Sequence, residues 1–249
     1  MMPDVKPFVL LSSREDDAAA LGEAASIRQI AKLGDGELVQ IRLEREPMPS
    51  IDFDDVSGFL IGGSDYCVSS ADKSPAQRRV ESELFDLLGR AIAADFPVLG
   101  LCYGMGLLAA HLGGTVGKTY GETIRAIPVS LTPEGRDDRL LSGSPDCFHA
   151  FVGHKEAVDV VPSGAVVLAS GVDCPVQLLR AGRNVYAAQY HPELDAEALV
   201  VRMELYKNFG YFDPQEFDAI ASAARNSPVD GSQHKLLTNF VTLNARQAG

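Results

Sequence analysis

The sequence lacks the features of a chain that binds nucleic acid or crosses a membrane. Its 22 Lys and Arg residues stand against 34 Asp and Glu residues, which gives a net charge of -12. A surface this acidic repels phosphate backbones and anionic lipid, so we predict neither nucleic acid nor membrane as a partner. No apolar run is long enough to span a bilayer. Residues 1–6 also lack the basic region and the small-residue cleavage site of a signal peptide.

Cysteine is scarce and widely spaced. The four cysteines form no CxxC pair; they are Cys67, Cys102, Cys147 and Cys174. In a chain of this size the spacing argues against a disulfide framework and favours reduced thiols, from which we predict a cytoplasmic location. The histidines match no standard zinc spacing, and we predict no metal and no cofactor.

The order of predicted elements indicates an α/β fold. The composition, 46% hydrophobic, suits a single domain over residues 1–249. Strands are predicted over 8–12, 38–43, 56–61 and 97–101, and helices over 16–32, 75–94 and 104–112. Such alternation predicts an open, mostly parallel, flavodoxin-like sheet with helices on both faces. Residues 115–189 are rich in strand signals and predict an antiparallel extension. Residues from about 210 onward predict a helical C-terminal extension.

The segment Gly100-Leu101-Cys102-Tyr103-Gly104 has the G-x-C-x-G pattern of a nucleophile elbow. It stands where a buried strand meets a helix, which places the Cys102 thiol at the sheet edge where ligands bind. We expect the helix N-terminus to favour the thiolate. We also expect the N–H of Tyr103 to point at an oxyanion on the attacked carbonyl. A buried structural cysteine is the alternative.

A base and a group that orients it follow in the segment His191-Pro192-Glu193. Proline favours an extended conformation for His191. Residues two apart in an extended segment face the same way, so both His191 and Glu193 can reach toward Cys102. This is the arrangement of a nucleophile, a base and an orienting acid.

Two consecutive glycines, Gly62 and Gly63, end a predicted strand next to the nucleophile strand. Glycine lets the backbone N–H of Gly63 approach a ligand without a Cβ in the way. Paired with the N–H of Tyr103, it predicts a two-donor oxyanion hole. A plain β-turn is the alternative.

Together these segments resemble a known family, the class I (triad) glutamine amidotransferases, of the kind found in GMP synthetase and its stand-alone relatives. The resemblance spans about residues 8–209. It rests on Gly62-Gly63, on PVLGLCYGM at 97–105, on FVGHKE at 151–156 and on QYHPE at 189–193.

The resemblance implies that Cys102 attacks the side-chain amide of glutamine while His191 moves the proton. Ammonia leaves, and water releases glutamate from a thioester. It also implies that Gly62, Gly106 and His154 bind the substrate. The family commonly has Gln four residues after the nucleophile, whereas this chain has Gly106, so strict glutamine specificity is not predicted.

Three functions stay open at this point. The first is a glutaminase that supplies ammonia to a separate synthetase subunit, since the chain has no P-loop or other ATP signature. The second is a free-standing hydrolase of γ-glutamyl amides or peptides. The third is a catalytically idle binding module on the same fold, against which the intact triad argues.

Overall fold

A nine-stranded mixed sheet forms the centre of the structure, a computed structural model that describes residues 5–248. The strands are β1 (Phe8–Ser12), β2 (Leu38–Arg42), β3 (Gly58–Ile61), β4 (Val98–Leu101), β5 (Thr115–Gly117), β6 (Glu122–Leu131), β7 (Cys147–His154), β8 (Ala157–Val160), β9 (Ala165–Ser170), β10 (Leu178–Ala181) and β11 (Val185–Ala188). Their order in the sheet is β2-β1-β3-β4-β11-β10-β9-β6-β7, and β5 pairs with β8 in a separate ribbon. The first five strands of that order are parallel and the rest pair antiparallel, which confirms the predicted α/β sheet and its extension.

Seven helices accompany the sheet in the described part of the chain. They are α1 (Asp17–Ala31), α2 (Pro75–Ala93), α3 (Tyr103–His111), α4 (Pro133–Arg136), α5 (Ala196–Leu205), α6 (Phe217–Arg225) and α7 (Lys235–Asn244). Side chains cap several N-termini, as Asp16, Ser74 and Asp195 do for α1, α2 and α5. Within residues 5–248, no helix combines the length and the apolar character needed to cross a bilayer.

Apolar side chains cover both faces of the sheet. Alternate residues of β1 point to opposite faces, so Phe8 and Leu10 join one core cluster while Val9 and Leu11 join the other. The first cluster includes side chains of α1 and α7, and the second includes side chains of α2 and α3. Both faces are therefore buried, as a parallel sheet requires.

The last helix, α7, packs on the core of the chain. Leu236, Leu237 and Phe240 are almost fully buried, and the ring of Phe240 lies 5.9 Å from that of Phe8 on β1. Leu243, on the same apolar stripe of the sequence, is 44% exposed. The helix is thus tied to the sheet through its N-terminal two turns.

The sheet order brings the sequence motifs together. The parallel strands β3, β4 and β11 are neighbours, so their carboxyl ends share one edge. Gly62 follows β3, Cys102 follows β4, and the segment 189–193 follows β11. Ligands bind at this edge in open α/β sheets.

Candidate active site

Cys102 stands at a strained turn between β4 and α3. Its backbone adopts φ 51° and ψ -89°, which side-chain-bearing residues rarely do. The turn is held by a hydrogen bond from the Cys102 N–H to the Ala188 carbonyl, 2.7 Å long. A flanking glycine permits the close approach of the backbone before and after this turn, because a Cβ on Gly100 would lie 2.8 Å from the backbone of Gly104. Tyr103 is the first residue of α3, so its N–H has no acceptor within the helix.

Burial acts against the thiolate that is expected at the helix N-terminus. It raises the pKa of Cys102 to about 12, although the positive charges of Arg14 and Arg202 act in the opposite direction. Desolvation outweighs these charges although the residue is only partly buried. A base that accepts the thiol proton would lower the cost of forming the thiolate. Its sulfur also lies 3.9 Å from the side-chain amide nitrogen of Gln189.

His191 and Glu193 form a buried pair. The Nδ1 of His191 lies 2.8 Å from the Oε1 of Glu193, and the two side chains are 7% and 0% exposed. The same carboxylate oxygen accepts a hydrogen bond from Arg202 Nη1, also 2.8 Å away. The backbone of His191 is fixed in turn by its N–H, which donates to the Phe151 carbonyl at 2.9 Å.

Burial holds the pKa of the imidazole below its ordinary value, and the charges around the pair keep the carboxyl ionised. Burial lowers the pKa of His191, the Glu193 carboxylate raises it, and Arg202 and Arg14 lower it further, with a net decrease. Burial alone would raise the pKa of Glu193, but His191 and Arg202 hold it well below its ordinary value. A neutral imidazole beside a neutral thiol is the starting state for general-base catalysis.

The Gly62-Gly63 turn differs from its expected role. The N–H of Gly63 donates to the Oε1 of Glu23, 3.0 Å away on α1, and is therefore engaged within the protein. Glu23 also pairs with Arg14 at 2.9 Å, and both side chains are buried. A Cβ on Gly62 would overlap the Glu23 carboxylate, and one on Gly63 would overlap the Arg14 guanidinium. The two glycines make room for this ion pair, which leaves the N–H of Tyr103, without an intrahelical acceptor, as the remaining member of the expected donor pair.

Gly106 faces the Glu156 carboxylate. A Cβ on Gly106 would lie 3.2 Å from Cγ2 of Val68 and 3.4 Å from Oε1 of Glu156, so a larger residue would crowd both. The Glu156 carboxylate accepts hydrogen bonds from the backbone N–H groups of Val68 (2.6 Å) and Ser69 (2.9 Å). The close packing explains the glycine without any polar contact to a ligand.

The imidazole of His154 is engaged on both sides. Its Nδ1 lies 3.0 Å from the Glu156 carbonyl, and its Nε2 lies 3.0 Å from Oε2 of Glu122. Both ring nitrogens of His154 therefore have partners within the protein, so the predicted contact with a substrate could come only from its backbone. His154, Glu122 and Cys174 also bring three potential metal ligands within 4.8 Å of one another. Glu122 already bonds the side-chain amide of Gln177 at 2.7 Å, so these contacts form a hydrogen-bonded core network.

Two chambers meet at Cys102. The apolar chamber includes the side chains of His191, Val152, Leu194, Leu199, Met203 and Tyr206. The polar chamber includes Tyr103, Gly106, Lys155, Glu156 and Gln189. Cys102, Ser64 and Tyr211 line both chambers. The sulfur thus has a different chemical environment on either side.

Sequence reasoning missed several of these residues. Arg202 was overlooked because a lone arginine in a helix usually lies on a solvated face. The spacing of apolar residues could have indicated its position. Leu199, Met203 and Tyr206 recur in helical spacing along α5 and the residue that follows it, with Arg202 beside them. Arg14 gave no comparable signal, since its partner Glu23 becomes adjacent only when α1 packs on the sheet.

Comparisons with known proteins identify the family of the chain. The family model of the class-I glutamine amidotransferases matches residues 68–207. The GMP synthase [glutamine-hydrolyzing] of Leifsonia xyli is 41% identical over 121 residues, which cover 47% of this chain and 22% of the synthase. The corresponding protein of Streptococcus thermophilus is 31% identical over 133 residues, or 53% of this chain and 24% of the synthase. The chain therefore spans less than a quarter of the length of these curated relatives.

Solved structures share the fold over nearly the whole chain. A glutamine amidotransferase of Thermotoga maritima superposes with a TM-score of 0.75 at 18% identity and covers 96% of this chain and 97% of its own. A glutamine amidotransferase of Methylobacillus flagellatus gives a TM-score of 0.72 at 20% identity, with 99% and 98% covered. At this identity the likeness establishes the fold.

Proposed function

Since the chain belongs to the class I glutamine amidotransferases, we propose that it hydrolyses the side-chain amide of glutamine through a thioester on Cys102. In this proposal His191 is the base and Glu193 orients it. One observation carries the proposal: a cysteine with a strained backbone shares a chamber with a histidine whose other nitrogen lies 2.8 Å from a buried carboxylate. This is the relation of nucleophile, base and orienter.

The protonation states support the following order of proton transfers. His191 is neutral and takes the thiol proton as the sulfur attacks the amide carbon. The Glu193 carboxylate stabilises the imidazolium that results, and the Tyr103 N–H donates to the oxyanion. The imidazolium then gives its proton to the departing nitrogen, and ammonia leaves. Water attacks the thioester with His191 as base, which releases glutamate and restores the thiol.

The polar chamber suits the amino-acid end of glutamine. That end carries one ammonium and one carboxylate group, and the chamber offers the Glu156 carboxylate and the Lys155 ammonium. Lys155 is exposed and its Nζ donates to the Phe209 carbonyl at 2.7 Å. Complementary charges at the chamber would hold the substrate with its amide toward Cys102.

The ammonia would pass to a separate synthetase. The relatives named above are glutamine-hydrolysing GMP synthases, and this chain matches less than a quarter of their length. We propose that the chain works with such a synthetase in a reducing compartment such as the cytoplasm, since all four cysteines are free thiols.

The test is steady-state release of glutamate and ammonia from glutamine by the purified chain. Wild type should release both in equal amounts, and Cys102→Ala should release neither while it keeps the wild-type circular dichroism. Cys174→Ala is the matched control, because Cys174 is buried away from both chambers. If wild type binds glutamine but leaves it intact, the idle binding module is the better function.

A further inference from the structure

Arg14 is a buried cation at the same edge of the sheet as Cys102. It follows β1, whereas Gly63 and Cys102 follow β3 and β4, the next two strands in the order of the sheet. The guanidinium packs on Gly63, where a Cβ would overlap Nη2. Arg14 also lines the apolar chamber together with Cys102. The glycine thus lets the side chain of Arg14 extend from β1 to the chamber of the nucleophile.

The Arg14–Glu23 ion pair presents its positive end to this chamber. Glu23 accepts hydrogen bonds from Nε and Nη2 of Arg14 at 3.0 and 2.9 Å. Glu23 itself lines neither chamber and borders a groove between α1 and α5 instead. Asp65 is an acidic residue of the chamber wall, but within residues 5–248 no hydrogen bond joins it to Arg14. Burial raises the pKa of the Asp65 carboxyl, which weakens its negative charge.

Two N–H groups of the Arg14 guanidinium have no acceptor among the described residues. A guanidinium carries five N–H groups. In Arg14, Nε and Nη2 each donate to Glu23 Oε1, and Nη1 donates to the Tyr206 hydroxyl at 3.1 Å. One N–H on Nη1 and one on Nη2 are left over, although the side chain is only 5% exposed and buried donors are ordinarily paired. These two donors are free for an anion in the chamber.

Little water screens this charge inside the chamber. The enclosed space is about 40 Å³, which is room for about three water molecules. In such a space a positive charge stabilises an anion more strongly than it does in bulk water. The effect on the nucleophile has the expected sign: burial raises the pKa of the Cys102 thiol, and Arg14 is the strongest of the charges that oppose this increase, ahead of Arg202.

We propose that Arg14 stabilises the negative charge that forms at Cys102, first on the sulfur and then on the oxyanion, as the second donor beside the N–H of Tyr103. The N–H of Gly63 is bonded to Glu23, and the guanidinium that packs on this glycine takes its place. The step at the oxyanion rests on the proposed thioester chemistry, whereas the step at the sulfur does not. Arg14 keeps its own protons, and the thiol proton still moves to His191.

The first experiment measures how fast iodoacetamide alkylates Cys102, followed at that residue by mass spectrometry. This probe is small, neutral and free of carboxylate. Arg14→Met combined with Glu23→Gln removes both charges of the pair, so no buried carboxylate is left without its partner. Each unit of increase in the thiol pKa lowers the thiolate fraction tenfold and is partly offset by a more nucleophilic thiolate, so the double variant should react about threefold more slowly or less at a fixed pH. A wild-type rate in the double variant would overturn the inference and leave the proposed function standing.

Three further variants separate charge from packing. Glu23→Gln alone keeps Arg14 and should react at least as fast as wild type, and Arg14→Lys keeps the positive charge and should retain most of the rate. Arg180→Met is the matched control, because Arg180 pairs with the buried Asp138 and lines neither chamber. If Arg180→Met or Glu23→Gln slows alkylation as much as the double variant does, the effect is structural and the inference is wrong. Arg14→Gln, which keeps a donor for Glu23 without the charge, gives the same comparison if the double variant does not fold.

The second experiment compares kcat and KM for glutamine on the plateau of the pH profile. Loss of an oxyanion donor acts on the transition state, so the double variant should lose about 10²- to 10³-fold in kcat, with KM changed by less than about threefold. A raised KM at wild-type kcat would make Arg14 a group that binds the substrate, which overturns the inference while the proposed function stands. If wild type does not hydrolyse glutamine, the proposed function fails, and the iodoacetamide rates still decide the role of Arg14 at the sulfur.

Discussion

Arg202 should set the pH below which the chain loses activity. Its Nη1 lies 2.8 Å from Glu193 Oε1 and 3.3 Å from His191 Nδ1, so a fixed positive charge stands beside the base. The other charged or titratable groups that line the same chamber are Arg14, Asp65, Cys102, Tyr206 and Tyr211. A positive charge disfavours the imidazolium, and Arg202 accordingly lowers the pKa of His191.

The strength of the interaction between Arg202 and a protonated His191 follows from the distance between the two groups. Two unit charges 3.3 Å apart interact with about 1 kcal/mol at the dielectric constant of water and about 5 kcal/mol at an effective value of 20. The side chain of Arg202 is only 13% exposed, so the value in water is a lower bound. Arg202→Met should therefore raise the pKa of His191 through the loss of at least about 1 kcal/mol, which is close to a tenfold change in the protonation equilibrium.

The sign of the change in activity is fixed by the role of His191 as a base. The base must be unprotonated, so a higher pKa moves the acidic limb of the kcat/KM profile to higher pH. Below that limb the variant should lose about tenfold in kcat/KM relative to wild type, because one unit of pKa is a tenfold change in the neutral fraction. On the plateau above the limb the loss should be much smaller.

The assay is the pH dependence of kcat/KM for Arg202→Met, with two comparison variants. Arg202→Lys keeps the charge and should keep most of the wild-type limb. Arg225→Met removes an arginine from the exposed ion pair with Glu197 and should leave the limb unchanged. A uniform loss at every pH, with the limb unmoved, would show that Arg202 serves only packing. NMR titration of the His191 ring in the Cys102→Ala background gives the same pKa change without turnover.

Three further predictions concern the nucleophile, the orienter and the last helix. A glutamine-analogue electrophile should label Cys102 alone by mass spectrometry; labelling of the exposed Cys147 instead would contradict the assignment. Glu193→Gln should lower kcat by roughly tenfold to a thousandfold, which is less than the loss expected when the base His191 is removed. If Glu193→Gln keeps the wild-type kcat, Glu193 is not part of the triad. Phe240→Ala should lower the free energy of unfolding by about 3–5 kcal/mol, since its ring is buried. In the same denaturation assay Leu243→Ala should change it by less than about 1 kcal/mol, and equal effects would refute core packing by this helix.

The fold could be predicted because its signals are local. The run 97–101 is apolar on both faces and indicates a central parallel strand, which the structure has as β4. A Cβ at 100 would lie 2.8 Å from the backbone of Gly104 across the turn at Cys102, and one at 104 would lie 3.2 Å from the carbonyl oxygen of Ile61 on β3. The strands β5, β8 and β10 gave weaker signals because they are short and only partly follow an apolar alternation.

The sequence by itself determined the elbow at Cys102 and the pairing of His191 with Glu193, because both depend on neighbouring residues in the chain. The tertiary structure alone decided what surrounds them. Glu23, on a helix 40 positions before Gly63, accepts a hydrogen bond from the N–H of that glycine. Arg202, on the helix that follows the His191–Glu193 pair, donates a hydrogen bond to the Glu193 carboxylate. The pKa of the Cys102 thiol likewise depends on every element that excludes water from it. Such properties sum contributions from segments far apart in sequence, so no local pattern contains them.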